Sequence, residues 1–121
     1  MIRTYGLTHI SMTVRDVERS YQFYHAVFGV EEYFREPGQI QAKTPGAHDV
    51  IVFNEGRQYA GKSGGIAHIG FRLVDPADID AAVEAVERAG GKILSRGKWE
   101  GGEPYLFFHD LDGYEVEIWF E

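Results

Sequence analysis

The chain has 121 residues, 44% of them hydrophobic and 14% aromatic, with a formal net charge of −7 and no cysteine. That is enough apolar material for one compact domain, while the clustered Lys and Arg of a nucleic-acid partner are missing and disulfides are excluded. No apolar run reaches the roughly 18 residues of a membrane span and no charged-then-apolar leader is present, so a cytoplasmic protein without membrane or nucleic-acid partners is expected.

The first element is an alternating strand, His9-Ile10-Ser11-Met12-Thr13-Val14. His9, Ser11 and Thr13 face one way, and Ile10, Met12 and Val14 the other. Asp16 suits a helix N-cap. Val17, Tyr21, Tyr24 and Phe28, at i, i+4, i+7 and i+11, predict one apolar stripe, and Gly29 a left-handed stop. Short runs with β-branched and aromatic residues follow, broken at Pro37-Gly38 and Pro45-Gly46. Gly61-Lys62-Ser63-Gly64-Gly65 reads as a linker.

Beyond the linker the pattern returns. His68-Ile69-Gly70-Phe71-Arg72-Leu73-Val74-Asp75 repeats the polarity of His9 to Asp16, down to the closing Asp. Asp75 and Pro76 predict a helix start there. Ile79, Ala82, Val83 and Val86 supply its stripe, and Gly90 its stop. The last strand, Tyr114 to Phe120, sets Glu115, Glu117 and Trp119 against Tyr114, Val116, Ile118 and Phe120. The unit reads strand, helix, strand, strand, strand, twice over, with modules at about 5–60 and 65–121. Each half of about 60 residues would be marginal alone, so a single domain with a shared core is expected. The expected class is α+β: two βαβββ modules forming a cup-shaped mixed sheet with helices on the outer face.

Thr8-His9-Ile10 with Phe23-Tyr24 and Phe28-Gly29 behind it, Ala67-His68-Ile69-Gly70-Phe71, and Asp110-Leu111-Asp112-Gly113-Tyr114-Glu115-Val116-Glu117 carry a resemblance over essentially the whole chain. The chain resembles the vicinal oxygen chelate superfamily, which includes glyoxalase I, extradiol ring-cleaving dioxygenases, fosfomycin-resistance enzymes and bleomycin-resistance binding proteins. The resemblance implies a divalent metal held by His9, His68 and Glu117. Glu115 is the competing carboxylate on the same face, and the family's spacing from the Asp-x-x-Gly turn favours Glu117. Two imidazoles and a carboxylate leave about three open positions on an octahedral ion, enough for a substrate with vicinal oxygens and one further ligand.

The strand Asp49-Val50-Ile51-Val52-Phe53 has no carboxylate where glyoxalase I adds its fourth ligand, yet the tail Phe107 to Glu117 is most similar to that enzyme. Ala47-His48-Asp49-Val50 is similar to the dioxygenase segment that carries an acid/base histidine, which makes His48 the candidate proton handler. Tyr105 lies near the position of the dioxygenase tyrosine, although Phe107 occupies that position itself. In the fosfomycin-resistance branch Ser11 matches a substrate-contacting threonine. The phosphonate-binding arginine of that branch has no counterpart after Glu117; Arg72, Lys98 and Arg96 are the available cations.

The expectation is therefore a metal-dependent enzyme acting on a small molecule, with extradiol-dioxygenase-like chemistry ahead of a glyoxalase-like isomerase or lyase, and a non-enzymatic drug- or metabolite-binding protein as the other alternative. Fe2+ is the expected ion, with Ni2+, Zn2+ or Mn2+ as alternatives. A homodimer is expected, because each module leaves a sheet edge to be satisfied.

Overall fold

The computed structural model describes residues Met1–Glu121 and divides into two compact units, Met1–Ala60 and Gly61–Glu121. The division falls at the start of the glycine-rich linker.

The first unit runs β1 (His9–Val14), α1 (Val17–Phe28), β2 (Glu31–Glu36), β3 (Gln39–Lys43) and β4 (Val50–Glu55), with sheet order β1-β4-β3-β2. β1 is parallel to β4 and the other pairs are antiparallel. Asp16 caps α1, its Oδ1 accepting the Arg19 N–H at 3.0 Å. At the other end Gly29 has φ +70° and donates its N–H to His25 O at 2.9 Å, so the helix ends in the left-handed conformation that glycine adopts without steric cost.

The buried face of α1 differs from the expected stripe. Ser20, Phe23 and Tyr24 are buried, whereas Val17, Tyr21 and Phe28 are half-buried. Ser20 is small enough to sit under the sheet, which rolls the helix so that Phe23 enters the core and Tyr21 stays near the surface, with its hydroxyl 3.4 Å from Glu32 N.

The second unit runs β5 (Ile69–Arg72), a 3-10 turn (Pro76–Asp78), α2 (Ile79–Arg88), β6 (Lys92–Lys98), β7 (Pro104–His109) and β8 (Glu115–Trp119), in sheet order β5-β8-β7-β6. The βαβββ unit thus occurs twice, as the sequence predicts, and each copy folds a four-stranded mixed sheet. Asp75 caps the 3-10 turn through Ala77 N rather than α2 itself, so the second helix starts later than expected. α2 closes with the bonds Gly90 N–H to Glu87 O (3.1 Å) and Gly91 N–H to Val86 O (2.9 Å), the Schellman pairing, around Gly90 at φ +97°.

Strand parity holds in both units. Met12 and Val14 of β1 are buried and His9 and Ser11 exposed; Val116 and Ile118 of β8 are buried while Glu115, Glu117 and Trp119 are half-buried on the other face. Asp110 is buried, and its Oδ1 accepts the N–H groups of Asp112, Gly113 and Tyr114 at 2.9–3.0 Å. The Asp-x-Asp-Gly motif is therefore a hydrogen-bonded turn that launches β8 at a fixed register.

Candidate metal centre

In the second unit, pairing sets Gly70 of β5 and Phe107 of β7 on either side of Glu117 in β8. His68, two residues before Gly70, shares their face. Its Nε2 lies 3.1 Å from Glu117 Oε2, and its Nδ1 lies 3.6 Å from Glu115 Oε2. The two carboxylates thus bracket one imidazole from opposite sides. Glu117 is the more enclosed, with 14% of its side chain exposed against 36% for Glu115.

Gly70 makes room for the Trp119 indole: a Cβ there would stand 3.2 Å from Trp119 Nε1, tighter than ordinary contact, and 3.8 Å from Glu117 Oε2. An imidazole nitrogen and a carboxylate oxygen converging on one face suit a divalent ion that takes N and O ligands. The chain contains no group of three or more His, Cys, Asp or Glu side chains placed to hold an ion. Glu115 does not make His68 and Glu117 into such a group, because it approaches the other ring nitrogen.

Around this pair stands an aromatic wall. The His68 ring meets Phe107 edge-on at 5.1 Å, Phe107 meets Tyr105 at 5.8 Å, and Tyr105 stacks on Trp99 at 4.2 Å. Gly97, the register partner of Tyr105, makes room for the phenol: a Cβ there would come within 2.7 Å of the Tyr105 hydroxyl. Arg72 lies on the His68 face, its guanidinium 5.6 Å from the Trp119 ring centroid and bonded to Glu121 O. Arg96 is engaged by Asp80 at 2.5 Å. Of the expected cations, Arg72 is thus the one aligned with His68 along its strand.

In the first unit His9 opens β1, exposed, opposite Val50 of β4. His48 lies two residues before Val50. It is exposed, and its ring stacks on Tyr5 at 4.5 Å and 9°. Asp49 accepts from Thr44 N at 2.9 Å and from Thr44 Oγ1 at 2.6 Å, closing the turn that carries His48.

Sequence reasoning missed a row of polar side chains on the His9 face: Ser11, Asn54, Gln39 and Gln41, hydrogen-bonded in succession at 2.6–2.8 Å. Their alternation along β3 was visible. Their alignment across three strands needed the register.

A family model for the Glyoxalase/Bleomycin resistance protein/Dioxygenase superfamily matches residues 6–118. The chain belongs to this superfamily. It is 26% identical over 114 residues to the glutathione transferase FosA of Serratia marcescens, a match covering 93% of this chain and 79% of that one. The crystal structure of the fosfomycin resistance protein FosX from Mesorhizobium loti has a TM-score of 0.79 at 24% identity, covering 98% of this chain and 94% of that one. A mutant FosX of Listeria monocytogenes, crystallised with Mn(II) and 1S,2S-dihydroxypropylphosphonic acid, has a TM-score of 0.80 at 21% identity over 97% of this chain and 90% of its own. No helix is long and apolar enough to cross a membrane.

Proposed function

We propose that this chain is a divalent-metal-dependent enzyme acting on a small molecule with an oxyanionic or vicinal-oxygen group. The observation that carries the reading is the His68 Nε2 and Glu117 Oε2 pair, which converges at 3.1 Å on one face of the second sheet. His9 of the first module, from the same chain or a second copy, is the third protein ligand, and the two modules work as one domain. A bound ion would supply Lewis-acid polarisation of the substrate oxygens. This chain's own residues orient the ligand: Arg72 offers a cation to an anionic group, and the Trp99, Tyr105 and Phe107 wall packs its apolar part. His48 and Tyr105 are the candidate proton-handling groups.

The Serratia and Listeria relatives support fosfomycin-type substrates, and the Mn(II) of the Listeria protein supports manganese over the expected Fe2+. The aromatic wall favours a second reading, extradiol cleavage of a ring-bearing substrate. One experiment separates them. The chain is loaded with Mn(II), or with Fe2+ without oxygen, and then offered fosfomycin with and without glutathione, or catechol with oxygen. Fosfomycin consumption by the manganese form supports the first reading and oxygen uptake with catechol by the iron form the second. A chain that takes up neither ion overturns both.

A further inference from the structure

The polar row of the first module has a direction. Tyr33 Oη donates to Gln41 Oε1 at 2.6 Å, Gln41 Nε2 to Gln39 Oε1 at 2.6 Å, Gln39 Nε2 to Asn54 Oδ1 at 2.8 Å, and Asn54 Nδ2 to Ser11 Oγ at 2.7 Å. Each amide accepts at its oxygen and donates at its nitrogen, so the four bonds run head to tail from β2 through β3 and β4 to β1. The register explains the alignment: Gln39 pairs with Asn54 and Gln41 with Val52, which itself pairs with Ser11. Tyr33 reaches the row because β2 bulges between Glu32 and Phe34, and a bulge re-aims the side chain within it. Lys43 Nζ lies 4.3 Å from the Tyr33 ring centroid and holds the ring from one face.

A chain of amides alone could run in either sense. The residue at its head decides: a phenol is a better donor than acceptor, so donation starts at Tyr33 and each following amide is turned the same way. At the far end Ser11 Oγ already receives the Asn54 N–H. Its own O–H is then the donor left over, and Ser11 is exposed two residues after His9 on the same face.

We propose that Tyr33, Gln41, Gln39 and Asn54 are positioning residues that turn the Ser11 O–H outward as a hydrogen-bond donor, so that this face favours a ligand presenting an anionic acceptor oxygen, such as a phosphonate or carboxylate, over one presenting an ammonium. The proposal rests on the reading above for the ligand's place beside His9. The relay itself does not depend on it. A neutral donor suits this place because it discriminates by the direction of the bond without adding a second full charge beside a metal site.

The test has two arms. In 15N spectra of the metal-free full chain, Tyr33→Phe should move the side-chain amide signals of Gln41, Gln39 and Asn54 together. Movement confined to Gln41 would overturn the relay. In the second arm inorganic phosphate is titrated calorimetrically into the Mn(II)-loaded chain. Ser11→Ala and Asn54→Asp should each weaken phosphate binding about tenfold while metal content is kept, since a hydrogen bond to a charged oxygen is being lost. Asn54→Asp also adds charge, so the decisive measurement is the double variant. In the Ser11→Ala background Asn54→Asp should cost no more than about twofold, because its target hydroxyl is gone. An undiminished tenfold loss there assigns the effect to charge repulsion and overturns the proposal, as does a parent chain that binds Mn(II) but no phosphate. A chain that binds no Mn(II) overturns the proposed function, and the amide spectra then decide the relay alone.

Discussion

His68 Nε2 lies 3.1 Å from Glu117 Oε2 because parallel pairing of β5 with β8 sets Gly70 against Glu117 and carries the histidine to the same face. Glu115 lies on the other ring nitrogen, at 3.6 Å, in the place from which a carboxylate orients a metal-binding imidazole. Glu117→Gln should therefore abolish most Mn(II) uptake, as should His68→Ala. Glu115→Gln should leave a stoichiometric site with affinity lowered by roughly 10- to 100-fold. Metal titration followed by mass spectrometry reads both, and equal losses for the two glutamates would refute the division of roles.

His48 stands on a turn closed by Asp49 and Thr44, with Tyr5 stacked on its ring. If it handles protons, His48→Ala keeps the metal and lowers turnover by about 10²- to 10⁴-fold. Unchanged turnover would leave His48 and Tyr5 as a surface stack.

Stability should report the roll of α1. Phe23 is 2% exposed and Val17 half-buried. Phe23→Ala should cost about 3–5 kcal/mol and Val17→Ala well under half of that. Urea midpoints decide, and a larger loss at Val17 would restore the face expected from the sequence.

Ile2, Tyr5, Leu7, Ile66 and Val74 are exposed apolar side chains, more than a lone soluble chain gains from displaying. We expect a homodimer burying at least ~1,000 Å². If a second copy supplies His9, dilution should release metal and activity together. Sedimentation showing a monomer that retains stoichiometric metal at nanomolar concentration would exclude that arrangement.

Arg35 donates to Glu32 and pairs with Glu18 at 2.8 Å, tying α1 to β2. Its hydrogen bond, with a smaller one from Gln22, holds the Glu18 carboxyl below the usual carboxylate range. A depressed carboxylate stabilises above its unfolded value and loses that contribution as pH falls through its folded value. The melting-temperature difference between the parent and Arg35→Ala should thus be small at neutral pH, because the pair is exposed, and should shrink further under acid. A difference that grows on acidification would contradict the pairing.

Alternation and caps were legible in the sequence because they are local. His9, Ser11, His68 and Glu117 lie on the faces that parity assigned, and Asp16 and Gly29 bound α1 where expected. What was not legible depends on relations between strands. Glu115 and Glu117 differ by one step of alternation and share a face, so only their distances to His68 separate them. The row from Tyr33 to Ser11 needs a bulge and two registers, none of which leaves a mark on composition. Ser20 was passed over because a polar residue breaks the stripe, although its small size is what admits Phe23.

β1 and β5 are each an edge strand of their sheet; His9 opens β1 and His68 directly precedes β5. Such a strand has ladder bonds on one side only, so its residues exchange amide protons and breathe more readily than those of β4 or β8 beside it. Two of the proposed donors, His9 and His68, are therefore mounted on or beside an edge strand of each half, while Glu117 stands on an inner strand. An arriving ion would act as a clasp on those loose margins, so its first signature should be slowed exchange at His9–Val14 and Ile69–Arg72 rather than any change in the sheets' interiors.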